Sequence, residues 1–235
     1  MRTMAWWAAA VLVLAAGAAR AQVEQYPGTA GTIIPIGDTA WSATAGRTVG
    51  SGNSVLQAEA GWPGISFTYL HGANERTDVG ARINFNYAFM NTTNSLTGVD
   101  LQIPFRYRMT DAPSGSINVV FQASPGLTLY SNRNPAGEHS TLFGVGGPLG
   151  IVAGARMSES LTLDAGAEIP VLLSFTNPFG VVFGPLFGVG GEYMVDRNLM
   201  VTARVRMGPE FSLDHNGSNS QFGLQTLIGV AYNMR

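Results

Sequence analysis

The chain has 235 residues, of which 12% are charged and 30 are glycine, and its formal net charge is −2. It contains no cysteine, which excludes disulfides and thiolate metal sites. Its 13 basic residues, all arginine, are outnumbered by 15 acidic ones, so no basic footprint points to nucleic acid as a partner.

The N-terminus has the pattern of a secretory signal peptide. Arg2 provides a positive start, Ala5–Gly17 is an apolar run, and Ala19-Arg20-Ala21 is a small-x-small cleavage site. A retained membrane helix is disfavoured, because the apolar run is shorter than the about 20 residues that a span requires. We therefore predict export and removal of residues 1–21.

The next segment, residues 22–52, is rich in Gly, Thr and Ala and lacks long alternating runs. We expect it to form a periplasmic N-terminal segment. Its apolar stretch Ile33-Ile34-Pro35-Ile36 makes it a candidate plug that folds up into a barrel formed by residues 53–235.

Beyond this segment, apolar residues recur at every second position, which is the period of a β-strand. Val79–Phe89 and Val99–Met109 are the clearest runs, each close to the about 9–11 residues of a tilted membrane strand. The other predicted strands are Val55–Ala60, Ile65–Leu70, Ile117–Tyr130, Leu142–Ala155, Leu161–Val171, Val181–Tyr193, Leu199–Phe211 and Gln221–Asn233. The pattern predicts an all-β fold, a transmembrane antiparallel up-and-down β-barrel of about ten strands, with roughly eight to twelve compatible.

The connections alternate in length, as in bacterial outer-membrane barrels. The predicted periplasmic turns are short and polar: Asn74–Thr77, Asp111–Gly115, Met157–Ser160 and Val195–Asn198. The predicted extracellular loops are Asn91–Thr97, Ser131–Ser140, Ser174–Phe179 and Ser212–Ser220, with Trp62-Pro63-Gly64 as one tight turn.

Two turns and the last strand resemble those of small Gram-negative outer-membrane β-barrel proteins. The turns are Gly72–Gly80 and Tyr193–Leu199, and the last strand is similar to the C-terminal signal read by the barrel-assembly machinery. The chain departs from that family where Asn233-Met234-Arg235 follow Tyr232, since the family strand usually ends on an aromatic residue. The resemblance implies outer-membrane localisation, contact with membrane lipids and lipopolysaccharide, and no particular activity.

Charged residues on the inward parity of the predicted strands are expected in the lumen. The candidate lumen-lining or selectivity residues are Arg82, Asp100, Arg106, Arg108, Asp164, Glu168, Glu192, Arg204, Arg206 and Glu210, joined by Glu59 and Asp78. The numbers of positive and negative residues in this set are nearly equal. This has two interpretations: ion pairs that fill a narrow barrel, or a constriction that selects small solutes.

Glycine also occupies inward positions, at Gly144, Gly146, Gly150, Gly154, Gly184, Gly188 and Gly190. Such a wall leaves room for long arginine side chains, water or the N-terminal segment, although glycine can equally serve to bend coiled strands.

Aromatic residues of outward parity lie near strand ends, where amphipathic rings favour the headgroup level of a membrane. They are Phe89, Tyr107, Phe175, Phe179, Tyr193, Phe211 and Tyr232. A soluble sandwich is the alternative, but it would bury these continuous apolar faces.

Enzyme chemistry has weak support. The histidines are His71, His139 and His215, and Asp214–Asn219 faintly resembles the His-x-Ser-Asn motif of lipid A deacylases, with one extra residue before Ser218. Asn216-Gly217 is more simply a turn-forming pair. We expect no metal, cofactor or nucleic acid, and a non-catalytic structural barrel or narrow porin-like conduit; the alternative is a surface hydrolase that uses His215.

Overall fold

The computed structural model describes residues 41–87, 96–110, 117–133, 139–176, 179–214 and 217–234. The predicted signal peptide, the stretch Ile33–Ile36, Phe89, His215 and the Asp111–Gly115 turn lie outside the described residues. Among the described residues, no helix is long and apolar enough to cross a membrane.

Thirteen strand segments form one antiparallel sheet. They are β1 Ser54–Trp62, β2 Gly64–Asn74, β3 Thr77–Asn86, β4 Leu96–Gln102, β5 Phe105–Arg108, β6 Ile117–Ala123, β7 Gly126–Arg133, β8 His139–Arg156, β9 Leu161–Ser174, β10 Gly180–Phe183, β11 Leu186–Met194, β12 Leu199–Asp214 and β13 Gly217–Met234. Consecutive segments pair with each other, except β4 with β5, β6 with β7 and β10 with β11, and β13 pairs with β1 to close the sheet.

Three pairs of segments are halves of one wall strand each, β4 with β5, β6 with β7, and β10 with β11, which leaves a closed barrel of ten strands. The predicted all-β, up-and-down architecture is therefore confirmed. Ten strands make a lumen slightly wider than the eight-stranded barrel that side chains alone just fill.

The interruptions within these wall strands coincide with prolines. Pro104, Pro125 and Pro185 lie between the paired halves, where the sequence pattern predicts unbroken strands. Proline has no N–H to donate to the ladder, but its carbonyl still accepts, as Pro125 does from the N–H of Ile103 (2.9 Å). The register resumes unchanged beyond each break, so inward and outward parity is preserved.

The two faces of the wall differ as a membrane barrel requires. Large apolar side chains point outward, for example Ile228, which is 63% exposed, and Phe222, which is 57% exposed. Carboxylates such as Glu59 and Glu192 point inward and are 2% exposed. This inversion of the usual burial rule excludes a soluble sandwich and gives the chain a closed barrel of the outer-membrane type.

The two ends of the barrel differ. Short turns close one end, called here the turn end, and Asp196 stabilises one of them by accepting from the N–H groups of Asn198 (2.7 Å) and Leu199 (2.8 Å). At the opposite, loop end the wall is uneven, because β8 and β13 have 18 residues each and β1 has 9.

Two predicted loops are shorter in the structure than expected. β12 and β13 pair as far as Asp214 and Gly217, and β7 and β8 pair as far as Arg133 and His139, so most of Ser212–Ser220 and parts of Ser131–Ser140 are strand. The polar composition of these stretches suggested loops. Their backbones nevertheless pair across the hairpin, because strand pairing uses backbone groups that every residue carries.

Candidate functional site

The turn end of the lumen is occupied by residues 41–53, called here the plug segment. Residues 41–46, 48 and 49 are buried, with Trp41 3% exposed, Ala45 0% and Val49 1%, whereas Ser51 and Gly52 are exposed. The Trp41 indole Nε1 donates to the backbone carbonyl of Arg197 in a turn (3.0 Å), and the Thr48 hydroxyl donates to that of Glu75 (3.0 Å). The segment is therefore held against two of the turns that rim this end.

Glu192, on β11, is the first charged anchor of the plug segment. Its Oε1 accepts from the backbone N–H groups of Ala43 (2.9 Å), Thr44 (2.5 Å) and Ala45 (3.1 Å), and from the Thr44 hydroxyl (2.9 Å). Consecutive N–H groups that converge on one anion form a nest, in which a buried carboxylate is stabilised without a cation. The lumen residue and the plug backbone thus satisfy each other's hydrogen-bonding groups.

Arg106, on β5, is the second anchor and has the opposite polarity. Its guanidinium donates to the backbone carbonyls of Ser42 (2.9 Å), Ala45 (2.9 Å) and Arg47, and it lies 3.3 Å from the Asp78 carboxylate. Asp78 in turn accepts from the N–H of Val49 (3.1 Å). Two carboxylates therefore accept from the N–H groups of the plug backbone, and one guanidinium donates to its carbonyls.

Apolar packing and close backbone contact also hold the plug segment in place. Trp41, Ala43 and Val49 belong to a buried cluster whose other members come from the wall: Val55, Leu70, Met194, Met200 and Ala231. A Cβ on Gly46 would lie 2.1 Å from the Asn118 carbonyl oxygen, so only glycine fits there. The void left beside the segment is about 20 Å³, close to the space of one water molecule.

A layer of ion pairs, called here the charge layer, lies inside the barrel beyond the plug segment. Glu59 lies 2.6 Å from Arg204 and 3.7 Å from Arg82. Glu168 lies 2.6 Å from Arg206 and also accepts from Gln122 (3.0 Å). Each carboxylate is thus engaged by at least one guanidinium, which offsets the cost of burying both charges.

Beyond the charge layer, toward the loop end, a cavity of about 130 Å³ remains, called here the loop-end cavity. Arg82, Arg204 and Arg206 line its side nearest the charge layer. Asp100 lines another part of the wall, where its Oδ2 accepts from the Asn86 amide (2.6 Å).

The structure distributes the charged residues predicted for the lumen over three levels. Arg106 and Glu192 bind the plug segment, Arg82, Glu168, Arg204 and Arg206 form the charge layer, and Asp100 and Glu210 line the loop-end cavity. Arg108 and Asp164 each have a buried atom, Nε and Oδ2 respectively, without a hydrogen-bond partner among the described residues.

The inward glycines do not leave empty space. A Cβ on Gly188 would lie 2.5 Å from the Arg206 stem, one on Gly144 2.6 Å from Leu172, and one on Gly154 2.5 Å from the Gly46 nitrogen. Neighbouring side chains and the plug segment therefore use the room that these glycines provide.

Of the three histidines, the structure describes the side chain of His71. His71 lies on the outward face, where its Nδ1 is 3.0 Å from the Ser54 hydroxyl, and that hydroxyl is 3.1 Å from the Tyr69 hydroxyl. The side chain of His139, like all of His215, is outside the described part of the chain. Within that part, no group of three or more His, Asp and Glu side chains could hold a metal ion.

No protein-family profile matches the chain. No curated protein matches it either. Solved structures that it resembles include the outer-membrane protease OmpT from Escherichia coli, at 8% identity over 77% of this chain and 93% of that one, with a TM-score of 0.42. The β-domain of the Bordetella autotransporter BrkA is 9% identical over 78% and 97% of the two chains, with a TM-score of 0.36. The outer-membrane channel DcaP of Acinetobacter baumannii is 10% identical over 77% and 95%, with a TM-score of 0.18.

Proposed function

We propose that this protein is a non-catalytic outer-membrane β-barrel whose lumen is closed to free solute flow by its own N-terminal segment. The observation that carries the proposal is the double anchoring of the plug segment, by Glu192 to its N–H groups and by Arg106 to its carbonyls. In this proposal the turn end faces the periplasm, from which the N-terminus of the exported chain enters the barrel.

The charge layer supports closure at a second level. A pore selects by rings of charged side chains that face a water-filled path. Here Arg204 and Glu59 are in direct contact at 2.6 Å, and so are Arg206 and Glu168. Charges paired in this way engage each other instead of facing a water-filled path, so a structural envelope protein fits the arrangement better than an open conduit.

The test is a swelling assay on liposomes that hold the refolded chain from Gln22 onward, with arabinose outside. We expect no swelling above that of protein-free liposomes. A matched variant with Glu192→Ala, Arg82→Ala and Arg204→Ala removes one plug anchor and thins the charge layer, and it should admit the sugar. Rapid swelling of the unmodified protein would make it a conduit and overturn the proposal.

The absence of catalysis is part of the proposal and has its own test. A hydrolase that uses His215 would cleave lipid A esters or a peptide at the cell surface. We expect the refolded protein to cleave neither substrate. Cleavage that is lost in His215→Ala would identify the protein as an enzyme and overturn this part of the proposal.

A further inference from the structure

The loop-end cavity has the size of a small-molecule site. Its volume is about 130 Å³. An apolar cavity of about 150 Å³ in another protein holds one benzene molecule. A compact solute with a short side chain therefore fits this space.

The lining of the cavity carries equal numbers of both charges. Three arginines, Arg82, Arg204 and Arg206, stand against three acids, Asp100, Glu168 and Glu210. A solute with a net charge gains no overall electrostatic attraction from such a lining. A solute that carries both charges is attracted at each end.

Arg82 forms the cationic pole of the cavity. Its Nε donates to the Thr68 hydroxyl (2.8 Å), but its Nη2 is 3.7 Å from Glu59, which Arg204 already engages at 2.6 Å. The side chain of Arg82 is also 18% exposed, compared with 9% for Arg204. Arg82 is therefore the guanidinium of the charge layer that is best placed to receive a ligand carboxylate.

Asp100 forms the anionic pole. It is 8% exposed, and its hydrogen-bond partners among the described residues are uncharged: the amides of Asn86 (2.6 Å) and Asn84 (3.5 Å) and the hydroxyls of Tyr130 (3.4 Å) and Thr128. Burying a carboxylate without a cation is costly. A ligand ammonium group beside Asp100 would supply the missing charge.

The register of the sheet places the two poles on neighbouring strands, β3 and β4. Arg82 and Asn84 are two residues apart on the inward face of β3, and Asn84 is paired with Asp100 on β4. Two residues along a strand span about 7 Å. The backbones that carry the two poles are therefore diagonal neighbours on one wall of the cavity, and both side chains line it.

The opposite wall of the cavity is apolar. Pro148 on β8, Pro170 and Leu172 on β9 and Val182 on β10 line it. A polar strand pair on one side and an apolar wall on the other match a ligand with a charged head and an aliphatic tail.

We infer that the loop-end cavity binds a small zwitterionic solute of the aliphatic amino-acid type, with its carboxylate at Arg82, its ammonium at Asp100 and its side chain against the proline-rich wall. The inference goes beyond lumen closure, and it holds whether or not the plug segment can move, because none of the three contacts involves that segment.

Calorimetric titration of the refolded chain from Gln22 onward tests this inference. The probe is L-valine, and the two comparison probes are isobutylamine and isovalerate, which keep the side chain and one charge each. We expect saturable binding of valine and at least about tenfold weaker binding of each comparison probe, since each loses one charged contact. Equal binding of all three probes, or no binding of valine at millimolar concentration, would overturn the inference.

Variants locate the site. Asp100→Asn should weaken valine binding at least about tenfold while leaving isovalerate unchanged, and Arg82→Gln should do so while leaving isobutylamine unchanged. Asp196→Asn, in a turn at the other end of the barrel, is the matched control and should bind like the parent. Retention of heat-modifiable migration shows that each variant is folded. Full affinity in folded Asp100→Asn and Arg82→Gln would remove the site from this cavity.

Discussion

Glu192→Ala tests the anchoring of the plug segment at its most concentrated point. The substitution leaves the N–H groups of Ala43, Thr44 and Ala45 without the acceptor that all three share. An unsatisfied buried donor costs about 1–3 kcal/mol, so even the lower limit removes roughly 3 kcal/mol from plug docking. At about 1.4 kcal/mol per factor of ten, the undocked population rises at least about 100-fold.

Trypsin reports that population, because the chain has no lysine and Arg47 lies within the plug segment. Where opening is fast compared with cleavage, the cleavage rate follows the open population. We therefore expect the product cut after Arg47, identified by mass, to form about 100-fold faster in Glu192→Ala. Glu159→Ala, at an exposed turn of the same end, is the matched control. Equal rates in the parent and Glu192→Ala would refute the anchoring described here.

Three further predictions concern packing, charge and the lipid face. Gly46→Ala should expel the plug segment and accelerate the same tryptic cut, because its Cβ would lie 2.1 Å from the Asn118 carbonyl oxygen; an unchanged rate would contradict that contact. Arg206→Ala should lower the free energy of unfolding in urea by about 3–5 kcal/mol by leaving Glu168 unpaired, and Arg206→Ala with Glu168→Ala should recover part of it. Ile228→Arg should cost about 2–4 kcal/mol in the same assay if this 63% exposed side chain faces the bilayer interior, and a negligible cost would contradict that placement.

The strands could be predicted because their signal is local. In Val79–Phe89 the apolar residues alternate with polar ones, and the same parity decides which side chains enter the lumen. Parity gives the direction of a side chain and not its partner. Glu59 and Arg204 are 145 residues apart in the chain, and only closure of the barrel brings them together.

The plug contacts could not be predicted for the same reason. Residues 41–53 have no periodicity, and their anchor Glu192 is about 150 residues away. Sequence reasoning also missed the amides around Asp100. In the sequence, Asn84 and Asn86 resemble ordinary polar residues of a lumen, and only the strand register shows that they lie beside the Asp100 carboxylate. The strand breaks could have been predicted from Pro104, Pro125 and Pro185, since proline donates no backbone hydrogen bond.

Single-channel recording in a planar bilayer tests lumen closure most directly. The refolded chain from Gln22 onward should give a silent trace. The triple variant Glu192→Ala, Arg82→Ala, Arg204→Ala, refolded and added in the same way, should give current steps. These steps show that the barrel inserts into the bilayer under the conditions used. Steady ohmic conductance of the unmodified protein would contradict a lumen sealed by the plug segment and the charge layer.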